Sequence, residues 1–202
     1  MTKIKFCGLS RPCDIEAANI LEPDYIGFVF AKGSKRYVTV EKAMELKRLL
    51  KPEIRAVGVF VDAPMEEVLR LLSEKVIDCA QLHGNESDEY VIRLKELSGK
   101  PVIKAFKIKT QEDLSNALQS SAEHILLDAG AGTGTVFDWR MLKGFERPFF
   151  LAGGIDPMNA EDAVKAVRPY ALDVSSGIET DGFKDRIKMV AFKAAVKRGD
   201  EQ

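Results

Sequence analysis

Eight short β-rich runs, each separated from the next by a helix-length segment, restrict the folds open to this chain more than any other feature. They are KIKFCG (3–8), YIGFVF (25–30), RAVGVFVD (55–62), DCAQLHG (78–84), VIKAFKI (102–108), HILLDA (124–129), FFLAGG (149–154) and ALDVSS (171–176). Apolar residues three and four apart mark the intervening segments as amphipathic helices. VEKAMELKRLL after the second run and DEYVIRLKEL after the fourth are examples, and DRIKMVAFKAAVKR closes the chain. Strands that alternate with helices pair in parallel, because each helix carries the chain back across the sheet it covers. Eight such units in 202 residues predict an α/β chain forming one domain over residues 1–202, a (β/α)8 TIM barrel near the lower end of the usual size. The competing open, doubly wound sheet usually has fewer strands. Its dinucleotide-binding form carries GxGxxG after the first strand, which is absent here.

Composition narrows the partners. With 46% hydrophobic residues, 30% charged residues and a formal net charge of −1, the chain offers no electrostatic case for nucleic acid or an anionic membrane. An anionic ligand has to be met by a local site. The three cysteines, Cys7, Cys13 and Cys79, are odd in number and fit neither zinc-ligand nor CxxC spacing, which predicts free thiols in a reducing compartment. No apolar stretch approaches the ~20 residues of a membrane span, and MTKIKF lacks a signal-peptide core. The expectation is a cytoplasmic protein with no membrane partner. HExxH, GxSxG and Walker patterns are missing, against zinc proteolysis, serine hydrolysis and P-loop chemistry.

A barrel of this kind carries its site at the C-terminal ends of the strands. The strand ends here read CG, QLHG, LLDA, LAGG and DVSSG. Most strand cysteines are small buried hydrophobes. Cys7 differs by position: with Ile4 and Phe6 facing the helices, it points into the barrel mouth, and an electropositive neighbour would supply thiolate. Lys5 on the same face is a candidate for that neighbour, the alternative being an ion pair lower in the barrel. Asp128 follows three apolar residues; a helix cap or a loop ion pair is the alternative reading, but a desolvated carboxyl there has its pKa raised and suits a general acid. Gly153 and Gly154 in LAGG, with Ser175, Ser176 and Gly177 in DVSSG, fall after strands seven and eight, the common phosphate site of the fold. Gly132 and Gly134, after strand six, add donors from a third side. Arg36 in KGSKRYV is a candidate carboxylate anchor, although Lys32 and Lys35 beside it also fit a solvated loop. Gln81 and His83 share the inward face of strand four. Cys13 and Cys79 read as packing residues, and Trp139 as packing the start of the sixth helix.

Taken together, KFCGLSRP, GFVF with SKRYV, VGVFVD, QLHGNE, LLDA with GTGTVFDW, FLAGGIDP, and DVSSGIE with GFKD resemble the phosphoribosylanthranilate isomerase family of tryptophan biosynthesis, in its order and over nearly the whole chain. The resemblance implies the barrel and an Amadori rearrangement that uses no cofactor or metal. It makes Cys7 the general base and Asp128 the general acid, and gives Arg36 the anthranilate carboxylate. The glycine and serine loops take the phosphate, and Asp173 contacts the sugar hydroxyls. From their inward position Gln81 and His83 are candidate substrate contacts, with a satisfied polar residue as the alternative reading of His83. Lys35 stands where many relatives carry proline, and Ala131–Gly132 replace a glycine pair. Two rivals remain open at this stage: the histidine-pathway isomerase, which uses two aspartates on a larger substrate, and a non-catalytic phosphoribosyl-binding barrel. Either a monomer or a homodimer is compatible with the sequence.

Overall fold

The computed structural model describes residues 1–128, 130, 139–142 and 144–201. Eight parallel strands close into a barrel: β1 (Lys3–Cys7), β2 (Tyr25–Val29), β3 (Arg55–Phe60), β4 (Cys79–Leu82), β5 (Val102–Lys107), β6 (His124–Asp128), β7 (Phe149–Ala152) and β8 (Ala171–Val174). Each strand pairs with its sequence neighbour, and β1 closes the ring on β8 with Lys5 opposite Asp173. The open-sheet alternative is thereby excluded.

Among the described residues seven α-helices surround the barrel: α1 (Pro12–Leu21), α2 (Val40–Leu49), α3 (Met65–Ser73), α4 (Asp88–Ser98), α5 (Gln111–Gln119), α6 (Ala160–Val167) and α7 (Arg186–Asp200). Their starts are written in the sequence. Thr39, Ser87 and Thr110 each accept the backbone N–H three residues on, and Asp185 accepts those of Ile187 and Lys188. Each such cap contributes about 1 kcal/mol. The expected sixth of eight helices is not found among the described residues; between β6 and β7 they form a 3-10 turn, Trp139–Leu142. Gly144 and Pro148 follow that turn, and both residue types disfavour helix. Trp139 packs from this turn, partly buried, against the main core.

Strand alternation sorts the side chains into two layers. Ile4, Phe6, Ile26, Phe28, Leu82, Leu127 and Leu151 pack outward against the helices. Tyr25, Val57, Cys79, Ile103, Leu126 and Phe150 fill the interior, and Cys7, Val29 and Val59 form a smaller group. Cys79 is thus a packing residue, as read from the sequence. Cys13 is not: it is exposed, one residue ahead of the stripe Asp14, Ile15, Ala17 and Ala18 that α1 buries. No helix of the described residues is long and apolar enough to cross a membrane.

After β8 the chain makes a second 3-10 turn, Ser176–Ile178, and then a small hairpin, β9 (Glu179–Thr180) with β10 (Phe183–Lys184). Asp181 and Gly182 bridge it with φ of 52° and 81°, the positive pair that a two-residue hairpin turn requires.

Candidate active site

A cleft of about 290 Å³ opens at the C-terminal ends of the strands. Cys7, Arg36, Gln81, His83, Asp128, Gly153, Gly154, Asp173, Ser175 and Ser176 all line it, side chains that are scattered over most of the sequence. Gly177, expected beside the two serines, does not line it. A Cβ there would collide with the Ile155 carbonyl, so Gly177 fits the loops after β7 and β8 together instead. Gly132 and Gly134 lie outside the described residues.

Cys7 occupies the end of β1 at 8% exposure. Two glycines make that position possible. Gly27 pairs with Cys7 on β2, and a Cβ on it would stand 2.7 Å from the thiol sulfur. Gly8 holds φ +80°, and a Cβ on it would run into Arg36 Cδ; only glycine combines that backbone with that space. Below the thiol, Lys5 Nζ bonds both carboxylate oxygens of Asp173 at 3.0 and 2.9 Å, with Lys5 fully buried. Burial is the largest influence on the thiol and pushes its pKa up. Lys5 and Lys184 pull it back, and Asp173 adds to the rise. The expected electropositive net shift is therefore corrected: Cys7 rests as a thiol, because desolvation of a sulfur anion outweighs two nearby ammonium groups, each of which is paired with a carboxylate. For Lys5, burial pulls down, yet Asp173 and Cys7 outweigh it and hold the ammonium above its ordinary value.

Asp128 also departs from expectation. Burial pushes its carboxyl up, but bonds from His83 and from the Gly130 N–H, with Lys107 nearby, hold it below the usual carboxylate range. Its Oδ1 accepts the Gly130 N–H at 2.9 Å, and its Oδ2 lies 3.2 Å from His83 Nε2. On the far side of the ring, His83 Nδ1 lies 2.9 Å from Gln81 Nε2. Gln81 is 1% exposed, and its Oε1 has no partner among the described residues.

Arg36 is already engaged. Its Nε and Nη2 grip Glu179 Oε1 and Oε2 at 2.6 and 2.7 Å, a two-pronged pairing. Lys184 Nζ joins at 2.5 Å to the same Oε1 and also donates to the carbonyl and hydroxyl oxygens of Ser175. Ser175 Oγ in turn donates to the Cys7 carbonyl at 3.0 Å. Sequence reasoning missed Glu179 and Lys184. The signal was present, since ET-DG-FK is a hairpin pattern; only the fold shows that the hairpin folds back over Arg36. Among the described residues, no three His, Cys, Asp or Glu side chains converge as a metal-ligand set would.

A closed (β/α)8 barrel with a thiol, a carboxyl and glycine-rich loops facing one cleft at its strand ends belongs to the class of barrel enzymes whose chemistry sits on the C-terminal face. The sequence profile described as "N-(5'phosphoribosyl)anthranilate (PRA) isomerase" matches residues 4–195. A relative named N-(5'-phosphoribosyl)anthranilate isomerase, from Thermoanaerobacter sp. (strain X514), is 46% identical over 204 residues and 98% of each chain. The crystal structure of phosphoribosyl anthranilate isomerase from Thermotoga maritima superposes with a TM-score of 0.91 at 35% identity, covering 98% of this chain and 99% of that one. A phosphoribosyl anthranilate isomerase in complex with reduced 1-(o-carboxyphenylamino)-1-deoxyribulose 5-phosphate superposes with a TM-score of 0.88 at 34% identity, over 98% and 99%. The chain belongs to the N-(5'-phosphoribosyl)anthranilate isomerase family and is an isomerase.

Proposed function

We propose that this chain converts N-(5-phosphoribosyl)anthranilate to 1-(2-carboxyphenylamino)-1-deoxyribulose 5-phosphate, with Asp128 as general acid and Cys7 as general base. The family to which it belongs serves tryptophan biosynthesis. The observation that carries the mechanism is that Cys7 at the end of β1 and Asp128 at the end of β6 line the same cleft. Asp128 protonates the ribose ring oxygen, which opens the furanose to an iminium. Cys7, as thiolate, removes the C2 proton; the enolamine then tautomerises to the ketone. Only proton transfers are needed, so the side chains suffice.

The resting thiol and carboxylate are the reverse of the working pair. The competent enzyme is the fraction in which Cys7 is deprotonated while Asp128 carries a proton, and Lys5 beside the sulfur favours the thiolate. Glu179 occupies Arg36 Nε and one edge of its fork, leaving Nη1 to hold the anthranilate carboxylate at a fixed angle. Gly153, Gly154, Ser175 and Ser176, with Gly132 and Gly134, bind the phosphate, and Asp173 contacts the sugar hydroxyls from the edge Lys5 leaves free. Remote anchors at both ends set C2 between acid and base. A cysteine rather than an aspartate on β1 favours this substrate over the histidine-pathway one, and an intact acid–base pair favours an enzyme over a binding module. A cytoplasmic location fits the three free thiols. A homodimer is one reading of the assembly, since a similar structure is described as that of monomers generated from a dimeric Thermotoga maritima enzyme.

The test follows the loss of phosphoribosylanthranilate fluorescence, with the labile substrate generated in situ, for wild type, Cys7→Ala and Asp128→Asn. Rapid loss with wild type alone is the expected result. Near-normal turnover in either variant removes that residue from the mechanism, and no loss with folded wild type removes the substrate.

A further inference from the structure

The hydrogen bonds around His83 have two self-consistent settings, and Gln81 is the residue that distinguishes them. As the side chains stand, the Gln81 amide NH2 donates to His83 Nδ1 at 2.9 Å. Nδ1 is therefore unprotonated, the ring proton sits on Nε2, and that N–H donates to Asp128 Oδ2 at 3.2 Å. In this setting the pair His83–Asp128 holds one proton and Asp128 is a carboxylate with none to give. The buried Gln81 Oε1 meanwhile accepts nothing among the described residues. A half-turn of the amide about its terminal bond exchanges Oε1 and Nε2 with almost no change of shape. Oε1 then faces Nδ1 and requires an N–H there. With Nδ1 protonated, the Nε2–Oδ2 line is free to carry the second proton, on nitrogen or on oxygen.

We propose that Gln81 is a positioning residue whose amide orientation gates the loading of the acid: carbonyl toward His83 admits the second proton, NH2 toward His83 excludes it. The proposal rests on Asp128 acting as the acid. Loading takes one proton from solvent, which His83 reaches at 24% side-chain exposure. Asp128 Oδ2 passes one proton to the ring oxygen of the sugar, and the pair returns to its one-proton state as the amide turns back. Proton count is conserved at each step, and no heavy-atom bond of the protein changes. A glutamine suits this position because its terminal amide carries a donor and an acceptor that a half-turn exchanges on one contact.

The experiment reads the ring nitrogens directly. With only two histidines in the chain, 15N resonances of labelled His83 distinguish a protonated from an unprotonated Nδ1 across a pH titration. A Cys7→Ser background takes the thiol out of the titration. The ionised carboxylate that Q81E introduces can only accept, so Q81E is expected to raise the midpoint of Nδ1 protonation by about tenfold or more in proton affinity, and Q81M, which offers no acceptor, to lower it by a comparable factor, because a hydrogen bond to a charged group outweighs one to a neutral group. The other charges facing the pair are Lys104 and Lys107 of β5, Asp62 and Glu86 from the loops after β3 and β4, and Asp173 and Arg36 across the cleft. All are unchanged between the three proteins, so the differences isolate residue 81. Equal midpoints, or a wild-type Nδ1 that stays protonated at alkaline pH, overturn the proposal. If Q81E does not fold, the wild-type against Q81M comparison and the wild-type tautomer still decide it. With Cys7 restored, kcat of Q81E is expected to exceed that of Q81M in step with the midpoints. Midpoints that move while kcat does not would instead remove Asp128 as the acid, leaving the His83 relay intact.

Discussion

Asp173→Asn tests the barrel interior and the site together. Lys5 is fully buried and Asp173 is 7% exposed, joined by two bonds of 3.0 and 2.9 Å. Removing one partner of such a pair leaves an uncompensated charge, at a cost of about 3–5 kcal/mol. Asparagine keeps one carbonyl oxygen to accept from Nζ, so the lower end, about 3 kcal/mol, applies. For a chain of this length each kcal/mol moves Tm by roughly 2–4 °C, a predicted fall of about 6–12 °C by calorimetry. Replacing both partners, Lys5→Met with Asp173→Leu, is expected to recover most of it, because the penalty lies in the orphaned ammonium and not in the lost bond. Asp173 also adds to the rise of the Cys7 thiol, whereas Lys5 opposes it. Asp173→Asn therefore lowers stability while increasing the thiolate fraction, seen as faster alkylation of Cys7 at fixed pH. A Cys13→Ser background removes the exposed thiol, and Cys79, pushed up to about 12 mainly by burial, stays silent. A Tm fall under ~2 °C would show that the pair is solvated like a surface bridge; slower alkylation would refute the electrostatic account of the thiol.

Glu179→Gln is expected to raise KM several-fold more than it lowers kcat, because Arg36 loses its two-pronged partner while the acid and base are untouched; steady-state kinetics showing the reverse split would argue against anchoring by Arg36. Gly27→Ala drives a methyl to 2.7 Å from the Cys7 sulfur, so about 1–3 kcal/mol of stability and most of kcat should be lost, while Gly33→Ala, with nothing within 4 Å, should match wild type in denaturant melts and turnover. At Glu179 burial raises the carboxyl but Arg36 and Lys184 outweigh it and hold it low, as His83 and Gly130 do at Asp128. A depressed folded pKa stabilises above the unfolded value of about 4.3 for Glu and is lost as pH falls through the folded value. Acid titration of stability should therefore be shallower in Glu179→Gln than in wild type.

Local pattern carried a great deal. Strand–helix alternation and polar strand ends depend on neighbours within a few residues, and they sufficed for the barrel and for the face that bears the site. Period-two alternation along KIKFC was enough to turn Cys7 inward. Between β6 and β7 the described residues hold a 3-10 turn, Trp139–Leu142, and no α-helix, a departure from the eightfold regularity that local pattern alone does not signal. What remained hidden was set by partners far away in the chain: Lys5 against Asp173 across the β1–β8 closure, Arg36 against Glu179, Gln81 and His83 against Asp128. Protonation follows from burial and from those partners, and neither is a property of a short stretch of residues. The sequence by itself therefore determined the barrel and brought Cys7, Arg36, Gln81, His83, Asp128 and Asp173 forward as candidates for its mouth, where the structure places them. Only the tertiary structure decided that Cys7 rests as a thiol and Asp128 as a carboxylate, because the competition between desolvation and a specific neighbouring charge exists only once the chain has closed.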